Sequence, residues 1–247
     1  MRGRSTLYIV GDSTLCSFED KDYFIPRSGY GTKIHKYADS DNLEIVNLAL
    51  SGRSSKSFIN EENYITLLKN IKKGDYLLID FSHNDEKPDI TRYTDPTLPI
   101  THNGSFKNIL DKYYINIALN SKAFPILVTP IVRRGELNSH ISKGTSQFRG
   151  GDYPKAIREL GHMLNIPVID MTKITKNLYD CLGDAETYNL HANKYNNPES
   201  IDNTHINSKG ADVIAYLLCK SIKENYPPLG QYLLEKEVVD GLDREIF

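Results

Sequence analysis

The chain has 247 residues, 39% hydrophobic and 25% charged, enough apolar material for a sizeable buried core. Its 30 basic and 32 acidic residues leave a net charge of −2, which gives no electrostatic ground for expecting nucleic acid or an anionic membrane as partner. No apolar run approaches the roughly 20 residues that span a bilayer. Three cysteines (Cys16, Cys181 and Cys219) are too few and too scattered for a disulfide framework or a zinc site, and they fit a reducing compartment. The apolar stretch at 7–10 falls short of a signal-peptide core of roughly 7–15 residues. A cytoplasmic location is therefore expected, with secretion only if a leader has been removed.

In chain order, short apolar runs alternate with longer helical patterns. Runs at 7–10, 44–48 (EIVNL), 75–81 (DYLLIDF), 124–130 (FPILVTP) and 166–171 (IPVIDM) read as strands, apolar enough to be covered on both faces. Helices are expected at 30–39, 63–72, 106–121, 153–165, 172–182 and 208–225. In the fourth of these, Ala156, Ile157, Leu160 and Leu164 repeat at the spacing of one helix face. The alternation predicts a three-layer α/β/α fold with a parallel sheet of about five strands and helices on both faces, in one domain spanning 1–247. Two loops, 82–105 and 185–207, are longer than connections need and return to the carboxyl edge of the sheet, where sites form in such folds. The segment 226–247 reads as a tail that packs on the body or on a second copy of the chain, so both monomer and homodimer stay open.

Polar residues gather where the strands end. The first strand runs into Gly11-Asp12-Ser13, the second into NLALSGRSS (47–55), the third into FSHND (81–85), and DNTH (202–205) precedes the last helix. A serine nucleophile needs a base within hydrogen-bond reach, a group that orients the base, and donors for an oxyanion. Ser13, His205, Asp202 and the Gly and Asn residues at neighbouring strand ends supply those types. Taken singly, each has a plainer reading: GDS as a turn, Asp202 and His205 as a helix-capping arrangement, Asn84 as a turn residue. His35 and His162 fall in helix patterns, whereas His102, His140 and His191 fall in loops where they could touch a substrate. No metal-ligand spacing occurs, and no cofactor is expected.

In this order the four blocks resemble the SGNH hydrolase superfamily, a set of proteins with a flavodoxin-like sheet. The resemblance runs from about residue 7 to about residue 225. It implies Ser13 as nucleophile, Asp202 and His205 as the acid–base pair, and an oxyanion hole from Ser13, Gly52 and Asn84. GDST, NLALSGRSSKSFI, HNDEKPD, TPIVRR and DNTHINSKGA are further similar to the rhamnogalacturonan acetylesterase branch, carbohydrate esterases that remove acetyl groups from pectic sugars. Ser82 stands where that branch usually has Gly at the opening of the third block, and Ser51 stands where a Gly often precedes Gly52.

The resemblance implies a Ser-His-Asp acyl-enzyme mechanism without a cofactor, acting on an acetylated oligosaccharide. Asp12, Arg53, Arg92, Tyr93 and Arg133 are the candidate substrate contacts. Arg92, Arg133 and the neighbouring Arg134 offer forked donors for an acidic sugar, unless they form structural ion pairs instead. Another acyl ester, as for a lipase or thioesterase, and a sugar-binding relative without turnover stay open at this stage.

Overall fold

In a computed structural model that describes residues 3–235, the apolar runs become a five-stranded sheet. In chain order the elements are β1 (Ser5–Gly11), β2 (Leu43–Asn47), α1 (Ser55–Phe58), α2 (Glu62–Asn70), β3 (Tyr76–Asp80), α3 (Phe106–Leu110), α4 (Asn116–Asn120) and β4 (Phe124–Val128). They continue with β5 (Ile141–Gly144), β6 (Arg149–Asp152), α5 (Tyr153–Leu164), β7 (Val168–Ile169), α6 (Met171–Tyr188), β8 (His191–Asn193), β9 (Ile201–Ile206), α7 (Ser208–Asn225) and α8 (Pro227–Gly230). The sheet order is β2-β1-β3-β4-β7, with every pairing parallel. That is the flavodoxin-like order, whose binding crevice lies at the carboxyl ends of the strands.

The period of two along each strand divides the interior into two cores. Leu7, Ile9, Leu78, Ile126 and Val128 face one side, where Ile174, Leu178, Ile214 and Leu218 of α6 and α7 cover them. Tyr8, Val10, Leu77, Ile79 and Leu127 face the other and pack on Leu67, Tyr114, Ile157 and Leu160 from the helices between β2 and β7. Covering both faces is what lets the strands read as unbroken apolar runs.

Several expectations about element bounds need correction. The helix expected at 30–39 is instead two 3₁₀ turns, Tyr30–Thr32 and Ile34–Tyr37. Its leading N–H groups are taken by other backbone: Gly29 donates to the Cys16 carbonyl (3.0 Å) and Tyr30 to the Thr14 carbonyl (2.8 Å). The helix expected at 106–121 is interrupted by one π turn, Asp111–Ile115. The last sheet strand shrinks to Val168–Ile169, because the Ile166 N–H closes onto the Gly161 carbonyl and the Asp170 side chain already caps α6. Two antiparallel hairpins, β5–β6 and β8–β9, form in segments to which no strand was assigned. Of the expected tail, 226–235 packs on the body, with Leu229 and Leu233 in the core and the Tyr76 hydroxyl donating to the Pro228 carbonyl (2.5 Å). Residues 236–247 lie outside the described residues. Among the described residues no helix is long and apolar enough to cross a membrane.

Candidate active site

Strand β1 brings Gly11 to the carboxyl edge of the sheet, tight against β3. A Cβ on Gly11 would lie 2.5 Å from the Asp80 carbonyl oxygen and 2.2 Å from Leu15 Cδ1, so only glycine fits there. Immediately beyond, the Asp12 side chain turns the backbone. Its Oδ1 accepts from the Thr14 N–H and hydroxyl, both at 2.9 Å, while its carbonyl accepts from the N–H groups of Leu15 and Cys16 at 3.2 Å. Ser13 sits at the apex of this turn. Its Oγ lies 2.9 Å from His205 Nε2.

His205 comes from the end of β9, and three bonds to Asp202 hold it and its neighbour Thr204. Asp202 Oδ2 faces His205 Nδ1 at 2.7 Å, and Asp202 Oδ1 accepts from the N–H groups of Thr204 and His205, both at 2.9 Å. Burial alone would raise the Asp202 carboxyl; the hydrogen bond and charge of His205, with the two N–H groups, outweigh it and hold Asp202 at about 2. An ionised Asp202 accepts from Nδ1–H, which leaves the Nε2 lone pair for the Ser13 hydroxyl. A hydroxyl, an imidazole and a carboxylate in this series can activate the hydroxyl for acyl transfer. The helix cap is a separate feature: Asn207 caps α7 by accepting from the Gly210 N–H at 3.0 Å.

Beside Ser13 the other strand ends supply donors. Gly52 has φ of +75°, and a Cβ there would meet nothing within 4 Å, so backbone conformation and not space favours glycine. Among the described residues neither the Ser13 nor the Gly52 N–H makes a hydrogen bond. The Asn84 amide is held by a bond from Nδ2 to the Arg53 carbonyl (3.2 Å). Just past it, Asp85 ties the third block to the second by accepting from the Ser55 N–H at 3.0 Å and from the Thr94 hydroxyl at 2.8 Å. Ser51 is exposed and Ser82 fully buried, and neither adopts positive φ, so neither position demands the glycine common in the resembling branch.

The expected substrate contacts fare differently. Asp12 is 1% exposed and engaged with Thr14, so its place is behind the turn and not against a substrate. Arg53 pairs with Glu61, Arg92 with Asp89 (2.8 Å), and Arg133 with Glu86. Arg134 pairs with Asp184 (2.6 Å) and donates to the Asn203 side chain (3.1 Å). Each of the four arginines makes an ion pair with a carboxylate. The Tyr93 hydroxyl donates to the Arg149 carbonyl (2.6 Å), and its half-buried ring stands edge-on to Phe148. Two of the three loop histidines are buried: His140 against the Ile131 carbonyl (3.1 Å), and His191 between the Tyr179 hydroxyl and the Asp202 carbonyl, each at 2.7 Å. His102 is exposed, on a groove of about 570 Å³ shared with Tyr93 and Arg149.

Sequence reasoning missed the layer behind the site. His191 donates through Nδ1 to the Asp202 carbonyl and accepts from Tyr179, which braces the carboxylate loop from inside. Phe18 and His205 pack as a T-shaped pair, and Phe18 is itself covered by Arg27, which Asp20 grips through two bonds of 2.7 Å. No local pattern marks these partners, since Tyr179 and Phe18 reach the site only through folding. Among the described residues no group of three or more His, Cys, Asp or Glu side chains could hold a metal ion.

Comparison with known proteins follows the same outline. The sequence pattern of the family described as GDSL-like lipase/acylhydrolase matches residues 7–218. The chain is 32% identical to rhamnogalacturonan acetylesterase RhgT of Bacillus subtilis over 237 residues, covering 94% of this chain and 95% of that protein. It is 27% identical to the rhamnogalacturonan acetylesterase of Emericella nidulans, over 88% and 84% of the two chains. Among solved structures, protein YxiM of Bacillus subtilis superposes with a TM-score of 0.70 at 24% identity, over 90% of this chain. This chain spans only 57% of the YxiM structure.

Proposed function

We propose that this chain, which belongs to the GDSL-like lipase/acylhydrolase family and is a carboxylic ester hydrolase, removes O-acetyl groups from rhamnogalacturonan-like or related plant oligosaccharides. The observation that carries the reading is the series Ser13 Oγ, His205 Nε2, His205 Nδ1, Asp202 Oδ2, with links of 2.9 and 2.7 Å. Two relatives named rhamnogalacturonan acetylesterase, matched over most of the chain, support the substrate class.

In the proposed reaction Ser13 Oγ attacks the acetyl carbonyl while His205 Nε2 takes the hydroxyl proton. Asp202 keeps the imidazole in the required tautomer and stabilises its charged form. The negative oxygen of the tetrahedral intermediate is met by the N–H groups of Ser13 and Gly52 and by the Asn84 amide; one such donor is typically worth on the order of 10²–10³ in turnover. The sugar hydroxyl leaves with the proton from His205. Water then attacks the acetyl-enzyme by the reverse route, giving acetate and free Ser13.

Acetate release from acetylated pectin, xylan and mannan oligosaccharides, with Ser13→Ala beside the wild type, tests this. Release from the pectic substrate, lost in the variant, is expected. Hydrolysis confined to long-chain acyl esters would reject the acetyl-sugar substrate and keep the nucleophile. Equal release by Ser13→Ala would reject the nucleophile.

A further inference from the structure

Two carboxylate oxygens are buried without a hydrogen-bond partner among the described residues: Oδ2 of Asp12 and Oδ1 of Asp80. Both residues stand at the nucleophile turn. Asp80 ends β3 opposite Gly11, the last residue of β1, and Asp12 follows Gly11 at the start of the turn. They are 0% and 1% exposed, respectively. Their other oxygens are occupied: Thr14 donates twice to Asp12 Oδ1, and the Tyr30 hydroxyl donates to Asp80 Oδ2. Two ionised carboxylates at adjacent strand ends would each be desolvated, and they would repel one another. One proton between the two orphaned oxygens removes both costs, because it makes one of them a donor and leaves the other its acceptor.

We propose that Asp12 and Asp80 share a single proton, carried on Asp80 and donated to Asp12 Oδ2, and that this pair positions the turn presenting Ser13. Asp80 is the holder because burial, and then the charge of Asp12, push its carboxyl well up, against only the Tyr30 bond. Burial also raises Asp12, but the N–H and hydroxyl of Thr14 favour its charged form. Of the groups facing the pair, Tyr30 and Cys16 stay neutral: burial raises the phenol well above its usual range and pushes the thiol up to about 12. Asp85, just past β3, is itself raised by burial to about 7, while His140 and His205 favour the charged form of Asp12. While the proton stays, Asp12 Oδ1 keeps its hold on Thr14 and the Ser13 N–H stays aimed. Its loss drives the two carboxylates apart and loosens the turn. Turnover should then fall on an alkaline limb with KM little changed.

The effect on turnover rests on Ser13 being the nucleophile, whereas the shared proton does not. Asp80→Asn imitates the protonated acid, its amide donating to Asp12 and its oxygen accepting from Tyr30; Asp80→Leu cannot. Infrared difference spectra of the full chain at neutral pH, wild type minus Asp80→Asn, should show a protonated-carboxyl stretch, that of Asp85 being common to both chains and cancelling. With 4-nitrophenyl acetate, Asp80→Asn should keep kcat within about threefold and lose the alkaline limb, while Asp80→Leu loses roughly tenfold or more in kcat at unchanged KM. Absence of the stretch from the difference spectrum would overturn the shared proton. Asp80→Asn as damaging as Asp80→Leu, or an alkaline limb unchanged in Asp80→Asn, would overturn the positioning role. A stretch that behaves as expected in a chain without esterase activity would uphold the pair and count against the proposed function alone.

Discussion

Replacing Asp202 by Asn separates the orienting role of the carboxylate from mere packing. Asp202 Oδ1 receives two backbone N–H groups at 2.9 Å, so the oxygen of an Asn must stay there. Its NH₂ is then forced onto His205 Nδ1, where the carboxylate oxygen now lies at 2.7 Å. Two donors cannot face each other, so the imidazole shifts its proton to Nε2 and no longer accepts from Ser13. The analogous change in serine proteases costs about 10⁴ in kcat, or roughly 5 kcal/mol of barrier, and a loss of that size is expected here. Stability should also fall. Asp202 is held at about 2 against an ordinary carboxyl value of 3.8, a preference for the charged form of roughly 2 kcal/mol. In the wild type that contribution is complete above the ordinary value and is lost as pH falls towards about 2. The assay is kcat and KM on 4-nitrophenyl acetate, with a urea melt beside it. A variant within tenfold of wild-type kcat would refute the tautomer argument, and an unfolded variant would show that Asp202 serves the fold first.

Three further outcomes are expected. Burial holds His191 down at about 4 against an ordinary 6.5, so the folded chain binds fewer protons than the unfolded one between those values. Stability should be full above the ordinary value and drop by up to about 3 kcal/mol as the medium is acidified to about 4. His191→Gln should make urea melts less acid-sensitive, and an equally steep drop would count against it. Gly11→Ala places a methyl 2.5 Å from the Asp80 carbonyl and should cost about 3 kcal/mol in a denaturant melt; a cost below about 1 kcal/mol would show that the β1–β3 approach can relax. Asn84→Ala should lower kcat on the order of 10²–10³ at similar KM, and an unchanged kcat would remove Asn84 from the oxyanion hole.

Much of the site is legible in the sequence because its parts are local. Asp202 and His205 lie three residues apart on one strand end, a separation that lets carboxylate and imidazole meet without help from elsewhere. Gly52 is legible only through the resemblance, and its positive φ, which few other residues tolerate, comes from the structure. The arginines and histidines were less legible. Arg53, Arg92 and Arg133 look alike in sequence whatever they face, and only folding shows that each meets a carboxylate, Glu61, Asp89 and Glu86 in turn. His191 sits in a loop-like stretch rich in Asn, yet folding seals it between Tyr179 and the Asp202 backbone.

The alternation of apolar strands and helices, and the parallel sheet it implies, can be read along the chain, as can the polar blocks holding Ser13, Gly52, Asn84, Asp202 and His205 at the strand ends. The alternation shows as periodicity, which a linear chain displays directly, whereas the site roles are legible only through the resemblance of the four blocks to a known family. That Ser13 and His205, 192 positions apart, meet at 2.9 Å, and that the Asp12 side chain is buried on Thr14, follows only from the three-dimensional fold. Whether a carboxylate is a ligand, an ion-pair partner or a buried acid is set by what surrounds it, and those surroundings come from strands and turns far away along the chain.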